Sequence, residues 1–338
     1  MTAVEEFNKA DALLTNGSYD EAAEIYIKLR DRSTELRAFC NYRLGAISNN
    51  TGDPLTAFEL YYEAFTEKPD IALNLYGSEH SNYKYVFTGL KKEQELTSCP
   101  LCAGTEVSEK WCYVLPEAAW FNAQFNPLRL WMYCEPCHHV FARYFPEKLF
   151  LLNDSPRSPN PMFFSYYSNV LDRVSRFTTG MSLFEIGIGA SECLLAAREI
   201  GFDTFGIDVI DKHVAMAKQK FGLSAETADF VEYQSDQKYD VIIMGDVIEH
   251  VSDPIKALHK AHTMLADDGA LWVSTPNFDS AYSIAVGHDD AMKKQQYHLN
   301  YFSRHSFFTL LQNCGFVPVD YAISSHYNGS MEVIAIKA

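Results

Sequence analysis

Positive charge is scarce along the whole chain. Against 44 Asp and Glu the 338 residues carry 28 Lys and Arg, a formal net charge of −16. Residues 1–90 hold 8 basic and 14 acidic side chains, residues 91–180 hold 9 of each, and residues 181–338 hold 11 and 21, so no third is basic. A nucleic-acid or anionic-membrane partner is not expected, because binding a polyanion rests on Lys and Arg releasing counterions. Long apolar runs are missing as well. No stretch of about 18 apolar residues occurs, and the acidic start MTAVEEFNKADALLTNG lacks the basic and apolar regions of a signal peptide. A cytoplasmic protein without membrane insertion is expected. Hydrophobic residues at 47%, charged residues at 21% and a mean hydropathy of −0.17 exclude disordered and fibrous classes. The length fits two or three domains.

Residues 1–90 read as helices with an internal repeat. Gly17, Tyr19 and Ala22 follow a small and apolar pattern, with Gly17 and Ser18 breaking one helix and Asp20 opening the next. Thirty-five residues on, Gly52 and Ala57 stand where Gly17 and Ala22 stood, followed by Tyr61, Ala64, Phe65 and Pro69. Small residues are needed where two helices approach closely, and the aromatic ones fill the groove beside them. The spacing resembles the tetratricopeptide repeat, with residues 71–76 able to begin a third helix pair. Such repeats imply a possible protein partner. A plain helical hairpin pair packed on the rest of the chain is the other reading.

Four of the eight cysteines fall as Cys99-x-x-Cys102 and Cys134-x-x-Cys137, within residues 91–150, where Trp111, Trp120 and Trp131 also appear. In a reducing compartment paired CxxC turns point to metal before disulfide, and four thiolates close a tetrahedral structural Zn2+ site of the ribbon type. The turn-rich run 153–161 reads as a linker, so that residues 151–180 form a linker and lead-in helix.

From there the pattern is α/β. Short apolar runs at 182–188, 204–207, 239–244 and 270–274 read as buried strands, with helices at 191–200, 212–221 and 254–265 between them. That alternation predicts a Rossmann-like, mostly parallel sheet with helices on both faces over residues 181–338. A helix over 303–314 and two strands at 316–324 and 331–337 predict an antiparallel hairpin closing the sheet. The first strand runs into Glu185-Ile-Gly187-Ile-Gly189-Ala-Ser191, a glycine turn opening a helix whose free N–H groups face a ligand. Asp208 ends the next strand, 19 residues after Gly189, where a carboxylate is able to accept both ribose hydroxyls of an adenosine. This pair alone suits NAD and S-adenosylmethionine equally.

The combination with Ala228-Asp229-Phe230, with the run from Tyr239 through Asp246, Glu249 and His250 to Pro254, and with Met264 to Asn277 resembles the class I S-adenosylmethionine-dependent methyltransferases over about residues 180–320. The resemblance implies S-adenosylmethionine as cofactor, with Glu185 near its amino group and Gly187 and Gly189 beside it. It further implies Asp208 on the ribose, Asp229 and Phe230 about the adenine, and Asp246 as a further cofactor-side residue. Ser191 stands where a third glycine is common.

The cysteine pairs and Phe163-Phe-Ser-Tyr166-Tyr167 ahead of such a domain are similar to the sugar C-methyltransferases acting on nucleotide-linked keto-deoxysugars. That similarity implies a zinc-binding domain over the active site and catalytic roles for His250, Tyr166 and Tyr167. His298, in a His-x3-Phe-Ser segment, is the candidate for the substrate pocket wall. The other role open to His250 is to cap the helix from Pro254. A catechol-type magnesium site would need converging carboxylates, for which Asp246 and Asp253 lie in the right loop. The expected function is methyl transfer to a small, sugar-type acceptor. The alternatives are a protein or RNA methyltransferase that recruits substrate through its repeats or ribbon, and a binding protein with a vestigial methyltransferase fold.

Overall fold

The computed structural model describes residues 1–146 and 157–338. Of the linker expected over 153–161, residues 153–156 lie outside the described residues. The chain starts with α1 (Ala3–Thr15), α2 (Tyr19–Arg32), α3 (Arg37–Asn50) and α4 (Pro54–Glu67). A capping box between Thr2 and Glu5 opens α1, and the Asp53 side chain accepts the Thr56 N–H ahead of α4, with Pro54 in its first turn. Gly17 and Gly52 make the two turns with φ of +79° and +89°, a left-handed backbone that glycine adopts without strain. Ala22 and Ala57, at matching places in the two hairpins, are both fully buried. Gly45 of α3 lets the Tyr61 ring of α4 lie on its backbone, since a Cβ there would meet the ring at 3.0 Å.

No third helix pair follows. After the single turn α5 (Ala72–Leu75), the segment gives its polar groups to residues 116–119 instead of building a helix. The Asn82 amide donates to the carbonyls of Pro116 and Ala118 at 3.1 and 2.7 Å, and the Ser81 hydroxyl donates to the carbonyl of Ala119.

The cysteine-rich region contains β1 (Glu93–Glu95), β2 (Val107–Val114), β3 (Leu128–Cys134), β4 (His139–Ala142) and β5 (Tyr144–Pro146). Strands β2, β3 and β4 form an antiparallel sheet, and β1 pairs with β5. Helices α3 and α4 lie on that sheet, with Tyr61 and Phe65 sharing a core with Leu130, Met132, Phe141, Cys99 and Cys134. The Asn49 side-chain amide pairs with both backbone groups of Cys112, at 2.7 and 3.0 Å, as a neighbouring strand would.

Next come α6 (Pro161–Val174), β6 (Ser182–Ile186), α7 (Glu192–Ile200), β7 (Asp203–Asp208), α8 (Asp211–Phe221), β8 (Ser224–Thr227) and β9 (Tyr239–Gly245). The chain continues through α9 (Pro254–Met264), β10 (Leu265–Pro276), α10 (Ala281–Val286), β11 (Asn300–Tyr301), α11 (Arg304–Asn313), β12 (Phe316–Ile323) and β13 (Ser330–Lys337). Seven strands form one sheet in the order β12-β13-β10-β9-β6-β7-β8, in which β13 alone runs antiparallel to its neighbours. Alternate side chains feed opposite faces. Phe184, Ile186, Ile242, Met244, Leu271 and Val273 pack with α9 and α11, while Leu183, Val241, Ile243, Ala270 and Trp272 pack with α6, α7 and α8. Strand β8 was hidden in the sequence because, as an edge strand, it buries only Ala225.

Strand β11 leaves this half of the molecule and pairs with β4, giving the order β11-β4-β3-β2, while a bridge joins Asn277 to Phe302. The cysteine-rich sheet is therefore completed from residues 300–301, beyond the boundary expected at residue 150. Among the described residues no helix is long and apolar enough to cross a membrane.

Candidate active site

The carboxyl ends of β10, β9, β6 and β7 lie side by side along one edge of the sheet, the edge at which an open parallel sheet places ligands. Gly187 and Gly189 turn the chain out of β6 with φ of +76° and +47°, and a Cβ at Gly189 would face open space. Ser191 before α7 also has a left-handed φ, +70°, which costs a non-glycine residue about 1 kcal/mol or more. Its hydroxyl is buried without a partner, as is Oε2 of Glu185. Burial first, then Glu192 and Asp208, hold the Glu185 carboxyl well above the usual range. A cationic group placed beside it would reverse that shift. Asp208 ends β7, and its carboxylate accepts the N–H groups of Gly189 at 3.0 Å and Ile210 at 2.8 Å, with His213 Nδ1 at 3.1 Å. One carboxylate thus ties the glycine turn to the next strand and retains lone pairs for a ligand.

The loop after β9 carries the second group of residues. Asp246 has φ of +52°, accepts from the Ser274 hydroxyl at 3.0 Å, and is pushed up to about 7 by burial and by Glu249. Glu249 is fully buried, and burial pushes its carboxyl up to about 8; Oε2 accepts from Thr275 at 3.0 Å and Oε1 has no partner. His250 Nδ1 lies 3.0 Å from the Tyr297 carbonyl, which only accepts, so Nδ1 carries the proton and Nε2 is left as an acceptor. Burial lowers the imidazole below its ordinary value. His298 packs against it with ring centroids 4.9 Å apart, and Nε2 of each histidine is 4.0 Å from Glu249 Oε1. One carboxylate oxygen and two imidazole nitrogens lie within 4.8 Å of one another, a set able to hold a proton or a divalent cation.

The structure changes two expectations for this loop. The capping role open to His250 belongs to Asp253, whose carboxylate accepts the Lys256 N–H at 2.8 Å. With Asp253 so engaged, the carboxylate pair Asp246 and Asp253 considered for a magnesium site is not brought together, and the cluster that forms in this loop is Glu249, His250 and His298.

Tyr166 and Tyr167 sit side by side on α6 against Trp272. The Tyr166 hydroxyl donates to the buried carboxylate of Glu332 at 2.9 Å, which also accepts from Arg173, so it is engaged in tying α6 to β13. The Tyr167 hydroxyl stands over Gly245 at the end of β9 and feels Glu185 and Asp246. Asp229 is exposed and holds its own turn by accepting the Val231 N–H, and the Phe230 ring is a core side chain against Phe184. Neither side chain is grouped with the Glu185 and Asp208 carboxylates by a hydrogen bond.

A family model described as a methyltransferase domain matches residues 137–321, more than half of the chain. This chain belongs to that methyltransferase family. Over 109 residues it is 29% identical to the ubiquinone biosynthesis O-methyltransferase of Actinobacillus pleuropneumoniae serotype 5b (strain L20), covering 29% of this chain and 47% of that protein. The corresponding protein of Ruegeria pomeroyi is 26% identical over 154 residues, covering 42% of this chain and 62% of that protein. The chain therefore spans less than two thirds of the length of these curated relatives. Among solved structures it is similar to the N-methyltransferase NodS from Bradyrhizobium japonicum WM9 in complex with S-adenosyl-L-homocysteine, at 16% identity and a TM-score of 0.44, covering 55% of this chain and 94% of that one. Streptomyces venezuelae DesVI is similar at 14% identity and a TM-score of 0.43, covering 52% and 92%.

Away from these strand ends, the chain brings Cys99, Cys102, Cys134 and Cys137 together. Cys102 Sγ and Cys134 Sγ are 3.7 Å apart, close to the roughly 3.8 Å between thiolates set tetrahedrally about 2.3 Å from one zinc ion. Each CxxC turn ends in a left-handed residue, Ala103 at +56° and His138 at +50°, and the N–H groups of Leu101 and Gly104 point at Cys99 and Cys102 sulfur. Burial pushes the Cys99 thiol up to about 12, a penalty that a divalent cation offsets when it takes up the thiolates.

Sequence reasoning missed Glu249, which lies between the two histidines, and Glu332, which engages the Tyr166 hydroxyl. A signal existed for Glu332, the lone acid in the apolar strand Met331-Glu-Val-Ile-Ala-Ile336. For Glu249 the signal was weaker, a carboxylate between the apolar Ile248 and the candidate histidine.

Proposed function

We propose that this methyltransferase moves a methyl group from S-adenosylmethionine to a small, sugar-type acceptor, at oxygen or carbon. The observation that supports it most is the set of buried polar atoms lacking partners at and after the carboxyl ends of the neighbouring strands β6 and β9, Glu185 Oε2, Ser191 Oγ and Glu249 Oε1, together with a histidine whose Nε2 is free to accept. The cofactor supplies an electrophilic methyl group on a sulfonium sulfur. Glu185 would answer its positive amino group, the Gly187 to Gly189 backbone would lie beside it, and Asp208 would take the ribose hydroxyls. With cofactor and acceptor bound, His250 would accept the acceptor's proton at Nε2, while the acceptor atom gains the methyl group and the electron pair of the broken carbon–sulfur bond stays on sulfur. Glu249 and His298 set the polarity around that imidazole, and the Tyr167 hydroxyl stands over Gly245 at the end of β9.

Titration with S-adenosylhomocysteine, followed by mass spectrometry of nucleotide-linked sugars for the gain of one methyl group, tests this reading. Binding without methylation of any sugar would remove the sugar and leave the transferase. The unpartnered Glu249 oxygen favours one second reading, in which Glu249, His250 and His298 hold a divalent cation that lowers the acceptor's pKa. Calorimetry with Mn2+, an ion that accepts both imidazole and carboxylate ligands, on the parent and on His298→Ala separates the two.

In the same proposal the four cysteines hold one structural zinc ion, and the two helical hairpins act as a tetratricopeptide-like surface for a protein partner. The surface available for this is the one on α1 and α2, because α3 and α4 are packed on the cysteine-rich sheet. The acidic net charge and the lack of a basic segment speak against RNA as substrate.

A further inference from the structure

Three successive carbonyls in the segment before β11 are each claimed by a side chain from elsewhere. The Gln296 carbonyl accepts from Arg129 Nη2 at 2.6 Å, the Tyr297 carbonyl accepts from His250 Nδ1 at 3.0 Å, and the His298 carbonyl accepts from Arg129 Nη1 at 3.1 Å. Arg129 lies on β3 of the cysteine-rich sheet, is 4% exposed, and feels the opposing charge of Glu93. Burying a guanidinium is costly, and this one gives two of its donors to main-chain carbonyls of a segment about 170 residues away. A planar fork reaches two carbonyls on one strand of chain, whereas an ammonium is a point donor.

The same segment is held at other points from both sides. Trp131 Nε1 donates to the Lys293 carbonyl at 3.0 Å, and the Gln296 side chain engages Asn122 and Trp120. On its other side the Leu299 N–H donates to the Glu249 carbonyl at 2.8 Å, and the Asn300 amide donates to the Val251 carbonyl at 2.8 Å. The cysteine-rich sheet is thus the back wall of the segment that presents His298 and fixes the His250 tautomer.

We propose that Arg129 is a positioning residue of the transfer site: it clamps residues 296–298 so that the Tyr297 carbonyl holds His250 with Nδ1 protonated and Nε2 open. It acts through His250 and touches no substrate. The proposal rests on the assignment of His250 as the proton acceptor for its catalytic meaning, and on geometry alone for the clamp.

The test uses full-length protein labelled with 15N in its histidines, with His250 assigned by the signals missing from His250→Gln. In the parent, His250 shows one tautomer at neutral pH, Nδ1 protonated. Arg129→Met is expected to move both nitrogens to the averaged positions of exchanging tautomers while S-adenosylhomocysteine binding stays within about twofold, because β6 and β7 are untouched; Arg129→Lys, keeping one donor, restores the parent signals in part. Parent-like signals in Arg129→Met overturn the clamp, and so does loss of S-adenosylhomocysteine binding in that variant, which would make Arg129 a prop of the whole fold. If Arg129→Met does not fold, hydrogen exchange in Arg129→Lys decides: the Leu299 amide exchanging about tenfold faster supports the clamp, and an unchanged rate overturns it. A His250→Gln variant that still transfers methyl groups at the parent rate, beside an altered tautomer in Arg129→Met, would remove the base and leave the clamp standing.

Discussion

The N–H of Gly189 donates to the carboxylate of Asp208 at 3.0 Å, joining the turn after β6 to the end of β7. Both elements that hold the cofactor in the proposed reading therefore share one acid. Asp208→Ala is expected to weaken S-adenosylhomocysteine binding by about 1.5–3 kcal/mol, roughly 10- to 150-fold, through lost charge-assisted hydrogen bonds and a slackened turn. Asp208→Asn, which keeps one acceptor oxygen, should lose less. Isothermal titration of the three proteins checks this, and equal affinities would remove Asp208 from the site.

Metal analysis should find about one zinc per chain, and a chelator should loosen the cysteine-rich sheet first. Cys99 and Cys134 share a core with Tyr61 and Phe65 of α4, so α3 and α4 are expected to lose hydrogen-exchange protection together with β2 and β3, before the seven-stranded sheet. A metal-free protein with four reactive thiols and an unchanged melting profile would contradict the zinc site.

His326 gives a pH dependence of known sign. Burial first, then Arg157, lowers its imidazole to about 4, where it packs on Phe163 and Tyr327 with centroids 4.0 and 3.8 Å away. Between the ordinary histidine value near 6.5 and about 4, the unfolded chain binds a proton that the folded protein refuses, so stability falls as pH drops through that window. His326→Gln should flatten the slope of unfolding free energy there by up to about one proton. Denaturant melts from pH 7 to pH 4 measure it, and identical slopes would contradict it.

The sheet was legible because near-continuous apolar runs such as Leu183-Phe-Glu-Ile186 and Val241-Ile-Ile-Met244 are what strands buried on both faces require. Gly187, Gly189 and Asp208 were legible for the same kind of reason, since a left-handed turn and a strand-end acid leave local marks. What the sequence did not reveal depends on contacts between distant segments. Strand β11 is two residues long and exists only because β4 is there to pair with it. Glu249 becomes a site residue only when Thr275, His250 and His298 close around it, and Arg129 matters only beside carbonyls about 170 residues downstream. The third helix pair failed similarly, because Asn82 found better acceptors in residues 116–118 than a helix offered.

Methyl transfer through His250 is the centre of the account, and one rate comparison tests it. Parent and His250→Gln proteins are given S-adenosylmethionine with a panel of nucleotide-linked sugars and small hydroxyl acceptors, and initial rates are read by mass spectrometry as the gain of one methyl group. The account predicts that the parent methylates at least one acceptor and that His250→Gln does so about 100-fold more slowly or worse, with S-adenosylhomocysteine affinity and melting temperature little changed. Equal rates for the two proteins, or a parent that fails to bind S-adenosylhomocysteine at all, would contradict it.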